Sequence, residues 1–317
     1  TGGSGVVCNR AESTGGGIYA TNGASVNLIG SAAAPATVAE NDADEGGGLY
    51  LTGAGTTADA TDAWIVDNQG SFEGGAIYAR AGASFTMDIA DPDCRGSRCS
   101  LMRNNFSAIA GGVGGAIAAD SGADVVVHQT TLTGNNANVT GSVVFAEDPG
   151  TTVAMEGCLI YANSGSLNDA YLDTVDGAVL TVAFTTVAEG VGCCKGLFDT
   201  NSNSTVNLYS NILMANVSGP GGGRIFDEPL AAGESRVADC ILFEEDSATL
   251  PPPLDPGSQV AIASFPALFA NFAAGDYRLR GGSPAIDFCD TFRYTPVTTD
   301  IDDESRGFDV PPIGGAP

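Results

Sequence analysis

The chain has 317 residues, with 38 acidic against 12 basic side chains and a formal net charge of −26. That balance excludes the electrostatic footprint of a nucleic-acid binder and argues against an anionic membrane as partner. Apolar residues are plentiful enough for a core, yet no apolar run reaches the ~18 residues that a membrane span needs.

In chain order, the first pattern is Val6-Val7-Cys8-Asn9, an aliphatic residue followed by two variable residues and Asn. Gly16-Gly17-Ile18-Tyr19 comes next, and the two patterns then alternate along the chain. The glycine unit returns as Gly47-Gly48-Leu49-Tyr50, Gly74-Gly75-Ala76-Ile77-Tyr78 and Gly114-Gly115-Ala116-Ile117. It decays to Gly141-Ser142-Val143-Val144-Phe145, Asp169-Ala170-Tyr171-Leu172, Gly196-Leu197-Phe198 and Arg224-Ile225-Phe226. The second pattern runs Val38 to Asn41, Ile65 to Asn68, Leu101 to Asn104, Leu132 to Asn135, Ile160 to Asn163 and Leu213 to Asn216, with Glu189 and Glu245 in the Asn position of two further copies. Both columns recur roughly 30 residues apart, the mark of a repeat architecture.

Within a repeat, short alternating runs such as Ser25-Val26-Asn27-Leu28-Ile29 and Thr205-Val206-Asn207-Leu208-Tyr209 are separated by Gly, Asn, Asp and Ser. That is strand-and-turn grammar, and no stretch carries a helical period. A repeat this small must bury its face on its neighbours. The reading is an all-β, single-stranded parallel β-helix (a solenoid) of about eight or nine coils, stacked ~4.8 Å apart into a rod on the order of 40 Å. Asn41, Asn68, Asn104, Asn135, Asn163 and Asn216 would form a ladder at one turn, tolerating left-handed backbone and bonding amide to amide. Insertions are read at Ala54–Ala63 and Asp88–Cys99. Residues 1–246 are assigned to the coils. Pro251-Pro252-Pro253 and Pro256 mark the exit, and the remainder of 247–317 is expected to cover the last coil. The start at Thr1 reads as a processed or trimmed product, with the first coil incomplete or uncapped.

The paired glycine and Asn repeats, from about Gly15 to Glu245, resemble the β-helical passenger domains of polymorphic outer-membrane and autotransporter-type bacterial proteins. Asp276-Tyr277-Arg278-Leu279 and Gly282-Ser283-Pro284-Ala285-Ile286-Asp287 are similar to the closing segment of secreted bacterial β-helix proteins. The resemblance implies a right-handed coil and an extracellular or cell-surface location, and it names no activity.

Eight cysteines, an even number, point to oxidation outside the cytosol. Cys94 and Cys99 enclose a small loop and are read as a disulfide. The tempting chemistry is a carboxylate column, Asp173, Asp199 and Asp227, preceded one position later by Asp120 and Glu147. Stacked carboxylates raise one another's pKa and suit glycosidase acid–base work, cation binding or a plain solvated turn. Asp300, Asp302, Asp303 and Glu304 form the densest acidic cluster, a candidate Ca²⁺ site and the one cofactor suggested, read against a solvated loop. Tyr19, Tyr50, Tyr78, Phe145, Phe198 and Phe226 are read as one aromatic column, inward for packing or outward for a sugar or partner. His128 is read as an outward strand residue.

The preferred expectation is a non-enzymatic secreted or surface β-helix, structural or adhesive, with self-association or a surface glycan as partner. Head-to-tail stacking into a filament is its sharper form. The alternatives are a carbohydrate-active lyase or glycosidase using the carboxylate column, and a phage-type receptor-binding fibre.

Overall fold

The structure is a computed structural model that describes residues 4–90, 99–165, 170–188, 196–214, 224–226, 229–244, 250–255, 257–262, 264–286 and 288. Its parallel strands stack into a β-solenoid of about eight turns. Each turn follows the same path. A strand of what we term the tyrosine face, such as Ile77–Arg80, leads through a tight turn to a second face, here Ser84–Asp88. The chain bends again into a third face, Leu101–Arg103, and a short strand, Phe106–Ser107, brings it back to the next glycine unit.

Although coil length varies, the strands of each face pair in parallel register, so chemically alike positions stack. On the tyrosine face Ile18, Leu49, Ile77, Ile117, Val144, Leu172 and Phe198 pair in succession and point inward. The third face contributes Val38, Ile65, Met102, Leu132, Ile160 and Val187. All of these are buried in one continuous core except Ile18, which packs partly buried against it. Burying one such side chain is worth about 1.5–3 kcal/mol.

The Asn ladder is present with one change of register. Asn9, Asn41, Asn68, Asn105, Asn135 and Asn163 are joined by successive Nδ2-to-Oδ1 hydrogen bonds of 2.9–3.1 Å. Asn105, not Asn104, is the fourth coil's member, because Met102 rather than Leu101 pairs with Ile65 and points inward. Asn104 instead holds the left-handed position, φ 53°, as do Cys8, Glu40, Asp67, Gly134 and Ala162 in other coils. The left-handed residue is therefore the one before the ladder Asn. Asn216 lies outside the described residues.

The glycine unit has two separate reasons for glycine. Gly74 has φ 63°, the left-handed region that side chains disfavour. Gly75 has ordinary φ, but a Cβ there would collide with the carbonyl of Gly115 and come within 2.5 Å of the Phe106 nitrogen. The turns after the tyrosine face use consecutive left-handed residues, as at Ala81-Gly82 and Ser121-Gly122, each closed by a backbone hydrogen bond of 3.1 Å.

Two expectations change. Ala54–Ala63 is no insertion: Thr57–Thr61 is a regular strand of the second face, its Ala58 and Ala60 paired with Phe85 and Met87. The C-terminal segment does not simply close the last coil. Phe265, Leu268, Phe269 and Tyr277 pack laterally on outward residues Leu159 and Ala188 of the third face, with Tyr161, Ile212 and Met214 alongside. Cys99 and Cys240 are disulfide-bonded, and Cys94 lies outside the described residues.

Candidate functional site

Between the two inward columns of the tyrosine face runs one outward column. In order it reads Tyr19, Tyr50, Tyr78, Ala118, Phe145, Asp173 and Asp199. The aromatic and carboxylate candidates thus share a single column. Phe198 and Phe226 do not belong to it. Phe198 pairs with Leu172 and Phe226 with Phe198, which places both rings in the core.

Tyr19 and Tyr50 stack nearly parallel, 5.4 Å apart, whereas Tyr78 stands at 84° to Tyr50. Tyr78 packs against Ala118, and its hydroxyl donates to Asp120 Oδ2 on the next coil. The Arg80 guanidinium lies 5.3 Å from the Tyr78 ring centre, and its Nε is 3.4 Å from Asp120 Oδ1. Glu73, from the short strand Gln69–Glu73, lies beside the same tyrosine. Burial pushes the Tyr78 phenol well above its usual range, with the Asp120 hydrogen bond adding to the shift. Burial also raises the Glu73 carboxyl, and burial raises Glu147, seconded there by Asp148, Asp176 and Asp120. These groups border a shallow surface dimple with room for about one water molecule, walled by buried Tyr78 and Ala118 and by Phe145, with Glu73, Asp120 and Glu147 around them.

Asp173 and Asp199 pair on adjacent coils, as the carboxylate column requires, but neither is poised like a free acid or base. Asp173 is 4% exposed and accepts the Thr140 hydroxyl at 2.7 Å. Asp199 accepts the Thr200 amide at 2.7 Å and the Asn201 side-chain amide at 2.8 Å, closing its own turn. Asp227 lies outside the described residues, as do Asp300, Asp302, Asp303 and Glu304. Among the described residues, no group of three or more His, Cys, Asp or Glu side chains could hold a metal ion.

No family model matches the chain, and neither does any curated protein or solved structure. The geometry therefore stands alone.

His128 points outward from the second face, between Asp88 of the coil before and Glu156 of the coil after. Its Nδ1 is 3.5 Å from Asp88 Oδ2 and its Nε2 3.7 Å from Glu156 Oε2. The Asp88 hydrogen bond raises its pKa, against a smaller opposing effect of burial.

Sequence reading passed over Glu73, Arg80 and Ala118. A signal existed for the first: Glu45 and Glu73 each stand directly before a glycine unit and pair in register. Ala118 was legible as the one copy in which the glycine unit's ring gives way to a methyl.

Proposed function

We propose that this chain is a non-enzymatic β-solenoid of the cell exterior, serving as a rigid structural or adhesive element. The observation that carries this reading is that, among the described residues, several polar side chains join coil to coil. The ladder asparagines bond one another, Tyr78 and Arg80 hold Asp120 of the next coil, and Thr140 holds Asp173 of the coil after its own. Interfaces of this kind couple neighbouring repeats and stiffen a solenoid. The acidic surface and the disulfide-bonded Cys99 and Cys240 support an oxidising exterior.

The finer form of the reading is head-to-tail assembly. Among the described residues, Ile18–Thr21 and Ser25–Ile29 are paired along one edge only, and Ile29 is 73% exposed. A second copy stacking there would continue the strand pairing from one rod into the next. Electron microscopy of natively purified protein tests this, with filaments of a one-rod axial repeat supporting assembly and isolated rods removing it. A panel of neutral and acidic polysaccharides tests the wider reading. Turnover that disappears in Asp199→Asn would overturn it in favour of a carbohydrate-active enzyme.

A further inference from the structure

The last outward position of the second-face strands carries Asp88, His128 and Glu156 in succession, with uncharged Thr61 before them and Ala183 after. A base thus stands between two acids on three consecutive coils. Its own strand holds it there. Val125 and Val127 are anchored in the core, Gln129 takes the left-handed turn at φ 44°, and the Thr130 hydroxyl donates to the His128 carbonyl at 2.7 Å.

Each ring nitrogen faces a different carboxylate, Nδ1 toward Asp88 at 3.5 Å and Nε2 toward Glu156 at 3.7 Å. A neutral imidazole has one N–H and one lone pair, so either tautomer turns a lone pair toward one of the two carboxylates. Only the imidazolium presents an N–H to both. The outward neighbours on the three strands, Thr86, Val126 and Ala154, carry no charge. Asp124, the other acid of the same strand, sits at its far end and accepts the Thr152 hydroxyl. Asp62, behind Asp88, accepts the Ala90 amide at 3.2 Å. Among the described residues, Asp88 and Glu156 are therefore the charges that act on His128. The stability of a solenoid is close to a sum over repeats and their interfaces, so a joint across three coils acts where it sits.

We propose that His128 is a proton-operated staple: charged, it ties together the three coils that carry Asp88, His128 and Glu156, and neutral, it releases one of the two joints, so that this stretch of the rod tightens in mildly acidic surroundings and loosens in alkaline ones. The staple works within a single rod and does not depend on the structural role proposed above. Asp88 raises the His128 pKa, so the tightening is full below the ordinary value of 6.5 and is lost as pH rises through the raised value.

Amide hydrogen exchange of the full chain at pH 5.5 and 8, corrected for the pH dependence of intrinsic exchange, tests it. An imidazole NMR titration accompanies it, and the chain's single histidine makes the signal unambiguous. Protection of Asp124–His128 is expected to fall about fivefold from pH 5.5 to 8, as for loss of partly exposed ion pairs, while that of Thr205–Met214 stays unchanged. In His128→Gln the fall at Asp124–His128 disappears. Asp88→Asn and Glu156→Gln should each lower the imidazole midpoint, because each removes one partner of the imidazolium. A midpoint unmoved by Glu156→Gln, protection at Asp124–His128 that does not depend on pH, or an equal change at Thr205–Met214 overturns the proposal.

Discussion

The change of register in the Asn ladder gives the sharpest test of the fold. Asn105 Oδ1 accepts from the Asn68 backbone amide and from Asn68 Nδ2, both at 3.1 Å. Asn105 Nδ2 donates to the Ile65 carbonyl at 2.9 Å and to Asn135 Oδ1 at 3.0 Å. Asn105→Ala removes all four bonds at a fully buried position and strands the Asn68 amide groups without their acceptor. Each lost bond costs about 1 kcal/mol, and each buried donor left unmade about 1–3 kcal/mol. The Asn135 oxygen keeps the Asn105 backbone amide, which limits the damage. A net loss of about 4 kcal/mol is expected. Asn104→Ala removes one exposed bond of 3.0 Å to Asp67 and places alanine at φ 53°, a cost of about 1–2 kcal/mol. Urea denaturation followed by far-ultraviolet circular dichroism compares the two midpoints at unchanged slope. If Asn104→Ala is the more damaging, or if Asn105→Ala falls within about 1 kcal/mol of the parent, the ladder is not where the geometry places it.

Other perturbations separate the remaining columns. Gly75→Ala drives a methyl into the backbone of the next coil and should cost more than about 3 kcal/mol. Gly122→Ala, at φ 80° with open space around it, should cost only about 1–2 kcal/mol, and matching thermal midpoints for the two would refute the close-approach argument. Because His128 titrates above its ordinary value of 6.5, its contribution to stability is full below that pH and fades as pH rises through the raised value; His128→Gln should remove this slope, as read from urea midpoints across pH 5.5 to 8. Glu73 and Glu147 titrate above 4.5, so their ionisation disfavours the fold, with no penalty well below that pH and a growing one above it. Glu73→Gln and Glu147→Gln should therefore raise the thermal midpoint at neutral pH and leave it unchanged near pH 4.

What the sequence made legible was whatever repeats with distinctive residues. The glycine unit and the aliphatic-x-x-Asn pattern each record a constraint that recurs in every coil, so solenoid stacking followed from them. Register failed where neighbours are chemically alike. Leu101-Met102 and Asn104-Asn105 offer the same pattern in two frames, and only strand pairing with Ile65 selects one. Thr57–Thr61 was hidden because its inward residues are alanines, whose missing volume is supplied by Phe85 and Met87 of the following coil. Phe198 was assigned by its ring, although alternation against Leu172 turns it inward. Of the site, Tyr78, Phe145, Asp120 and Glu147 were individually legible, but their meeting with Glu73 and Arg80 depends on coil closure, which no local pattern states.

These cases share a rule about how a stacked protein absorbs an interruption. An intact column offers each residue a partner above and below, so its polar groups are met and its rings are covered. An interruption inside the solenoid is repaired from the opposite wall or the adjacent coil, as Phe85 repairs Ala58. An interruption on the outside has no opposing wall. At Ala118 the consequence is visible: Tyr78 turns perpendicular to the stack and recruits Asp120, and a depression lined by Phe145 and Glu147 stays open. Restoring the ring with Ala118→Phe should therefore fill the dimple and continue the aromatic column from Tyr78 to Phe145.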